Sequence, residues 1–576
     1  MPPQVQKTRS KGDRELIHAV IDIETTGLNR YMDKINVCGV YIPEYEYYYQ
    51  PTENKQFMDF LCSLPERPHM IWANGKFDTL FLEEQWKIPV DLLTIDDDIM
   101  IMAYVLEMGQ RKGLKELAKR HCNAEDWDVD KKTKLSMNED MLQYNRLDLY
   151  WTWQVYQALM KKFEEHPKRE QLWKLYKGLA LESFKTYRNI ERRGMFVDTE
   201  KIQQLIPAYK AKAAEIEAEL NQVAQINWNS NAQVAKVFID QLGMPILKRT
   251  PKGAVSIGAE QLRDYSEMGY EIASKLLQYK RYTKDVGTFL EPWLEQAVNS
   301  RLHPSFNVDT VRTGRTSCQE PNLQQVPRDK ALRTLFHAPP GKALFECDYS
   351  QLELRIACHY ADERTMQEIY SNDGDIHTRT AQFVTGKTEV TKEERGKAKA
   401  VNFGFLYGMS AKKFVDYAKV SYGVHVTQQE ATEIRARYFQ TYRDLEPWYA
   451  LQKRLCAMDG GVYTLFGRFR ALPEIYSQDW SEKGSAERCC INTPVQSSGS
   501  DILLSAMIEI DNTLPECQIV CTVHDSVLIE VPEDKVDYYK EKIGAIMKHP
   551  SLLDYFGVQL KVPLDIDIGV GPWGTH

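Results

Sequence analysis

Residues 394–408 read ERGKAKAVNFGFLYG, with Arg395, Lys399, Phe403 and Tyr407 spaced four apart. Thr391, followed three residues later by Glu394, matches a capping box. Ala and Lys favour the helical state, and Gly408 stands where a left-handed C-terminal cap belongs. A spacing of four keeps the named side chains roughly on one face of a helix, drifting about 40° per step. Gly396 and Gly404 each cost such a helix about 1 kcal/mol, so both need a reason. Two readings are open. One is an amphipathic helix with a solvated basic face and two core aromatics. The other is a wall of a nucleotide site: the cations meet a triphosphate, Phe403 lies against the base, and Gly404 admits a close approach.

Two further stretches bear on the choice. ALFECDYSQLELRIACHYADE (343–363) predicts a strand ending near Asp348, then a helix. IVCTVHDSVLIEVP (519–532) predicts two β-rich halves pinched around His524, Asp525 and Ser526. Asp residues at turns are common for local reasons. Two of them, far apart in sequence and each at a strand end, also suit a two-metal nucleotidyl transferase.

The N-terminal third carries its own acids. In HAVIDIETTGL (18–28), Asp22 and Glu24 share one face of a strand. IWANGKFDTLFL (71–82) supplies Asp78 after a second strand and an Asn-Gly turn. In MLQYNRLDLYWTW (141–153), Tyr144 and Asp148 are neighbours on one helix face. Each motif alone is weak. Four acids and a tyrosine in this order suit hydrolysis of a phosphodiester with two hard cations. Asp98 is read only as the cap of the helix that follows it.

With 576 residues, 43% hydrophobic and 27% charged, the chain predicts three or four globular domains. No apolar run reaches the length of a membrane span. The polar start, with Lys7, Arg9 and Lys11, resembles neither a secretory signal nor a transit peptide. Eleven cysteines include no Cys-x-x-Cys pair; neither Cys489-Cys490 nor Cys517 with Cys521 fits zinc spacing. Reduced thiols and a cytoplasmic setting, in a bacterial or phage-infected cell rather than an organelle, are expected. A net charge of −8 argues at first against nucleic acid. Yet residues 391–420 hold seven Lys/Arg against three Asp/Glu, and distribution matters more than the total.

DYSQLELR, RGKAKAVNFGFLYG and VHDS, in that order, resemble motifs A, B and C of family A DNA polymerases. The likeness extends to ERRGMFVD (191–198), TGRTSCQEPNLQQVP (313–327), GSAERCCINTPVQSSGSD (484–501) and the C-terminal VPLDIDIGVGPWGTH. The three N-terminal motifs resemble those of DnaQ-like 3′→5′ exonucleases, with the Tyr-x-x-x-Asp form of the third.

The resemblance implies an α/β multidomain chain, an RNase H-like exonuclease domain followed by a right-hand polymerase. The expected boundaries are 1–165 for the exonuclease and 166–576 for the polymerase. Within the latter come a thumb over about 200–295, a palm over 296–362 and 476–576, and fingers over 363–475. It also implies roles. Asp348 and Asp525, with the Tyr349 carbonyl, bind metal at one site; Asp22, Glu24 and Asp148 bind it at the other, joined by Asp78, with Tyr144 orienting the nucleophile. Arg395, Lys399 and His377 meet phosphates, Phe403 and Tyr407 flank the nucleotide, and Glu353 is the steric gate against a ribose 2′-hydroxyl. Arg315, Asn322, Arg488, Asn492, Gln496 and His524 contact primer–template DNA. Two Mg²⁺ ions per site are implied, with Mn²⁺ as a substitute, and dNTPs as substrates of a monomer.

Two positions depart from the family pattern: Gly396, where a second Arg is frequent, and Ser526, where Glu is usual. No upstream 5′-nuclease domain is expected, and the chain resembles the short phage or large-fragment form. The alternatives are a single-subunit RNA polymerase or reverse transcriptase, a nucleic-acid-binding protein with dead sites, and an exonuclease with an inactive clamp. Glu353 and the fused exonuclease motifs argue against the RNA polymerase.

Overall fold

The computed structural model describes residues 16–128 and 139–575. The polar start with Lys7, Arg9 and Lys11, on which the expectation of no leader rests, lies outside them, as does His576.

In the N-terminal third, the apolar alternation of 18–25 forms the central strand His18–Thr25. It runs parallel to His69–Trp72 and antiparallel to Ile35–Ile42, with Tyr47–Tyr49 and Asp97–Asp98 at the two edges. Helix Glu139–Glu165 crosses this sheet. Gly39 makes the crossing possible: a Cβ there would lie 2.0 Å from Asn145 Oδ1 and 2.6 Å from Leu149. Asp98 caps helix Ile99–Leu106 as expected, accepting from Met100 and Ile101 N–H. It also accepts from Gly75 N–H at 2.8 Å, so one buried carboxylate fixes the start of two helices.

The second sheet is antiparallel throughout, in the order Gln518–Val523, Ser526–Pro532, Lys342–Tyr349, Ile566–Val570. Helices Trp480–Thr513 and Val536–Lys548 pack behind it. The strand Ile566–Val570 is not evident from its own residues, which half-face solvent; its pairing with 345–349 holds it.

Residues 199–284 are mostly helical, with their own apolar core around Trp228, Phe238 and Tyr265. Elsewhere among the described residues the main core runs from the first sheet through Tyr176, Phe184 and Tyr187 to the second, with two small clusters around Cys456 and Met141 beside it. The charged stretch 161–178 is therefore no loose tether. Among the described residues no helix is long and apolar enough to cross a membrane, and all eleven cysteines are free thiols.

Two candidate active sites

At the first sheet, carboxylate oxygens of Asp22, Glu24 and Asp148 lie within 4.8 Å of one another. Strand periodicity delivers the first two; the helix crossing behind Gly39 delivers the third. Asp78 sits beside them at the start of helix Gly75–Trp86, accepting Ile23 N–H at 3.1 Å. Burial, then Glu24, Asp148 and Asp78, push the Asp22 carboxyl well above its usual range. Burial likewise raises Asp78 to about 8. Acids crowded in this way repel one another unless a cation lies between them. An all-oxygen donor set suits a hard divalent ion. Tyr144 is buried one helical turn before Asp148, its hydroxyl pKa raised by burial and by Asp148.

Two partners here escaped the sequence reading. Asn145 Nδ2 donates to Asp22 at 2.8 Å, and Trp127 Nε1 donates to Asp148 at 2.5 Å. Asn145 directly follows Tyr144, which was a usable signal; Trp127 gave none.

At the second sheet, Asp348 is the last residue but one of its strand, opposite Ser526 on one side and Asp567 on the other. Desolvation, then Asp525, Glu346 and Asp567, raise it to about 6. Asp525 lies in the two-residue loop closed by the Val523–Ser526 pair, with His524 at φ 57°. Ser526 is thus the first residue of the returning strand, and its hydroxyl donates to Val523 O at 2.9 Å. The Tyr349 side chain is buried away from this edge, donating to Met547 O at 2.8 Å.

Arg315 ties the site together, donating to Glu353 at 2.8 Å and to Asp525 at 3.4 Å. The Tyr407 hydroxyl donates to the other Glu353 oxygen and also engages Gln496. Burial raises Glu353 while Tyr407 and Arg315 oppose it.

The 394–408 segment departs from expectation in two respects. The capping box of Thr391 and Glu394 forms, but the helix Lys392–Phe405 stops before Tyr407. Leu406–Gly408 make a turn with Gly408 at φ 69°, so Tyr407 projects from the helix end rather than its face. Gly404 admits no ligand: a Cβ there would lie 2.7 Å from the Phe414 ring of the next helix. Arg395 pairs with Asp375, whose carboxyl falls to about 2 despite its partial burial. Lys399 is solvent-exposed. Burial lowers His377 to about 4, so its imidazole is neutral. Asn402 Nδ2 donates to His377 Nδ1 at 2.8 Å, which leaves Nε2–H as the free donor. The Phe403 ring centre lies 6.0 Å from that imidazole.

The remaining expected DNA contacts differ in their surroundings. Asn322 spends its Oδ1 on Gln324 N–H. Arg488 and His524 are exposed, and Asn492 Oδ1 is buried without a protein partner.

Comparison with known proteins follows this division. A model described as DNA polymerase family A matches residues 199–575. The chain belongs to DNA polymerase family A. A 3′-5′ exonuclease model matches residues 16–164, so the first site lies in an exonuclease domain and the second in the family A domain. The chain is 31% identical to DNA polymerase I of Pseudomonas aeruginosa over 87% of its own length and 56% of that protein. It is 31% identical to that of Bacillus subtilis over 72% of its own length and 47% of that protein. It therefore spans about half the length of the curated relatives it matches. The polymerase domain of Pol1 from M. smegmatis, solved with DNA primer-template and dNTP, shares the fold. Its TM-score is 0.81 at 24% identity, covering 97% of this chain and 96% of that one.

Proposed function

We propose that this protein extends a DNA primer by template-directed addition of dNTPs and removes 3′-terminal nucleotides at a separate site. The observation that carries the reading is one linked cluster. Asp348 is the last residue but one of its strand and Asp525 lies in the loop that opens the neighbouring strand, and Arg315 and Glu353 connect Asp525 to Tyr407, just past the end of the helix that bears Arg395, Lys399 and Phe403. In this reading residues 1–165 form the exonuclease domain and 166–576 the polymerase, with thumb, palm and fingers as set out above. It acts as a monomer in the cytoplasm of a bacterium or phage-infected cell.

Two Mg²⁺ ions per site, when bound, supply the Lewis acidity that activates a primer 3′-hydroxyl or a water and steadies the leaving oxygen. The protein supplies position. Asp348 and Asp525 hold the metals at the polymerase site; Asp22, Glu24 and Asp148 hold them at the exonuclease site, beside Asp78. Arg395 and Lys399 neutralise the triphosphate, and the neutral His377 donates through Nε2–H. Tyr144 orients the attacking water. Arg488, Asn492, Gln496, Asn322 and His524 face primer–template.

The test is primer extension and single-strand degradation in Mg²⁺. Asp22→Ala with Glu24→Ala is expected to abolish degradation and spare extension; Asp348→Ala or Asp525→Ala is expected to do the reverse. If the Asp22 variant stops extension as thoroughly as the Asp348 variant, the assignment of two sites is wrong.

A further inference from the structure

Arg315 is delivered to its carboxylates by a loop, residues 308–316, that joins the paired strands Ser305–Asn307 and Ser317–Gln319. Its neighbours come from far away in sequence. Tyr104, on helix Ile99–Leu106 of the exonuclease domain, is buried and donates through its hydroxyl to Val311 O at 3.3 Å. Lys112 reaches Asp309 at 3.1 Å, both side chains being mostly buried, at 11% and 14% exposure. The same ammonium lies 4.9 Å from the centre of the Tyr104 ring. Arg468 lies 5.3 Å from that ring and pairs with the fully buried Asp501 at 2.7 Å.

The fit is tight at the residue before Arg315. Gly314 has φ 74°, and a Cβ there would lie 3.3 Å from Arg468 Nε. The base of the hairpin is gripped as well. Lys76, two residues before Asp78, donates to Phe306 O and pairs with Glu191, which accepts Phe306 N–H at 2.6 Å. So the exonuclease domain holds the hairpin at both ends, and the hairpin carries the guanidinium that bridges Glu353 and Asp525. An ion pair this far from solvent is costly to leave half-made, so losing the ammonium leaves Asp309 uncompensated and frees the loop.

We propose that Tyr104 and Lys112 of the exonuclease domain are positioning residues for the polymerase site, acting through the 308–316 loop to aim Arg315. The inference rests on the polymerase reading above. Neither residue is among those placed at the polymerase site above. Each removes freedom from the loop that places the Arg315 side chain.

The test is a double-mutant cycle in full-length protein carrying Asp22→Ala, so that degradation does not obscure extension. Lys112→Met, Tyr104→Phe and Arg315→Met are made singly, and each of the first two is combined with the third. Steady-state extension gives kcat and KM for dNTP; single-strand degradation is measured separately with Asp22 intact. Lys112→Met is expected to lower kcat/KM for extension at least fivefold while degradation changes less than twofold. Lys112→Arg is expected to restore most of the loss. In the Arg315→Met background, Lys112→Met is expected to add less than twofold, because its effect passes through Arg315. Full additivity in that background, or unchanged extension by Lys112→Met, overturns the proposal. If Lys112→Met fails to fold, Tyr104→Phe, which removes one hydroxyl, carries the same cycle. Absence of extension by the parent protein would instead refute the polymerase reading.

Discussion

The Tyr407 hydroxyl donates to one oxygen of Glu353, and Arg315 donates to the other at 2.8 Å. The carboxylate is therefore held by two elements, the turn after the cation-bearing helix and the 308–316 loop. A carboxylate fixed in this way occupies its space continuously, which a freely rotating one does not, and fixed occupancy is what a steric gate requires.

Glu353→Ala is expected to raise ribonucleotide incorporation relative to dNTP, because the space beside C2′ opens. Tyr407→Phe is expected to shift the ratio in the same direction by less, since Arg315 still holds the acid. The Glu353 effect should reach at least tenfold, about 1.4 kcal/mol of discrimination. The ratio of rNTP to dNTP incorporation efficiency decides it; an unchanged ratio refutes the gate and revives the RNA polymerase alternative.

Phe403 offers its neighbours no hydrogen bond, and its ring lies near the neutral His377. A dNTP can use its own 3′-hydroxyl to contact its phosphates; a dideoxynucleotide cannot. Phe403→Tyr supplies a hydroxyl in that place and should improve relative dideoxynucleotide use at least tenfold, since a hydrogen bond to a charged group contributes about 1.5–3 kcal/mol. The ratio of ddNTP to dNTP efficiency in the Asp22→Ala background measures it. No movement would return Phe403 to the status of a packing residue.

Apart from the backbone of its own helix and its chain neighbours, Gly396 has no heavy atom within 4 Å of where a Cβ would stand. Nothing steric requires glycine there, and helix propensity favours alanine by about 1 kcal/mol. Gly396→Ala should raise the denaturant midpoint without changing the slope of the transition. Destabilisation would overturn the reading that the folded protein has room for a side chain at this position.

His303 rests against Tyr31, with ring centres 4.9 Å apart, and donates through Nδ1 to Glu191 O at 2.9 Å. Burial lowers its pKa to about 4. The folded state thus favours the neutral ring. Below about pH 6.5 the unfolded chain gains a proton that the folded chain refuses, so stability falls as pH drops from about 6.5 to 4. The loss amounts to at most about 3 kcal/mol for this group, and His377 contributes in the same direction. His303→Gln should flatten the pH dependence of unfolding over that window; an unaltered slope would mean that His303 ionises freely in the folded protein.

Much of both candidate sites was legible because it rests on local rules. Asp22 and Glu24 share a strand face through a period of two, Tyr144 and Asp148 a helix face through a spacing of four, and Thr391 with Glu394 closes a cap. Each relation spans fewer than ten residues and needs no knowledge of the rest of the chain. Tertiary structure decided what lies between such segments. Asn145 bonds Asp22 only because Gly39 lets a helix cross the sheet closely. Ile566–Val570 becomes a strand only because 345–349 offers it an edge. Gly404 proves to serve Phe414 rather than a ligand, and Tyr407 leaves the helix to reach Glu353. Arg315 sits between Glu353 and Asp525 because a hairpin gripped by another domain puts it there. Such contacts depend on which distant surfaces pack together, a choice made by the shared apolar core and by buried pairs such as Arg468 with Asp501, and no local periodicity encodes it.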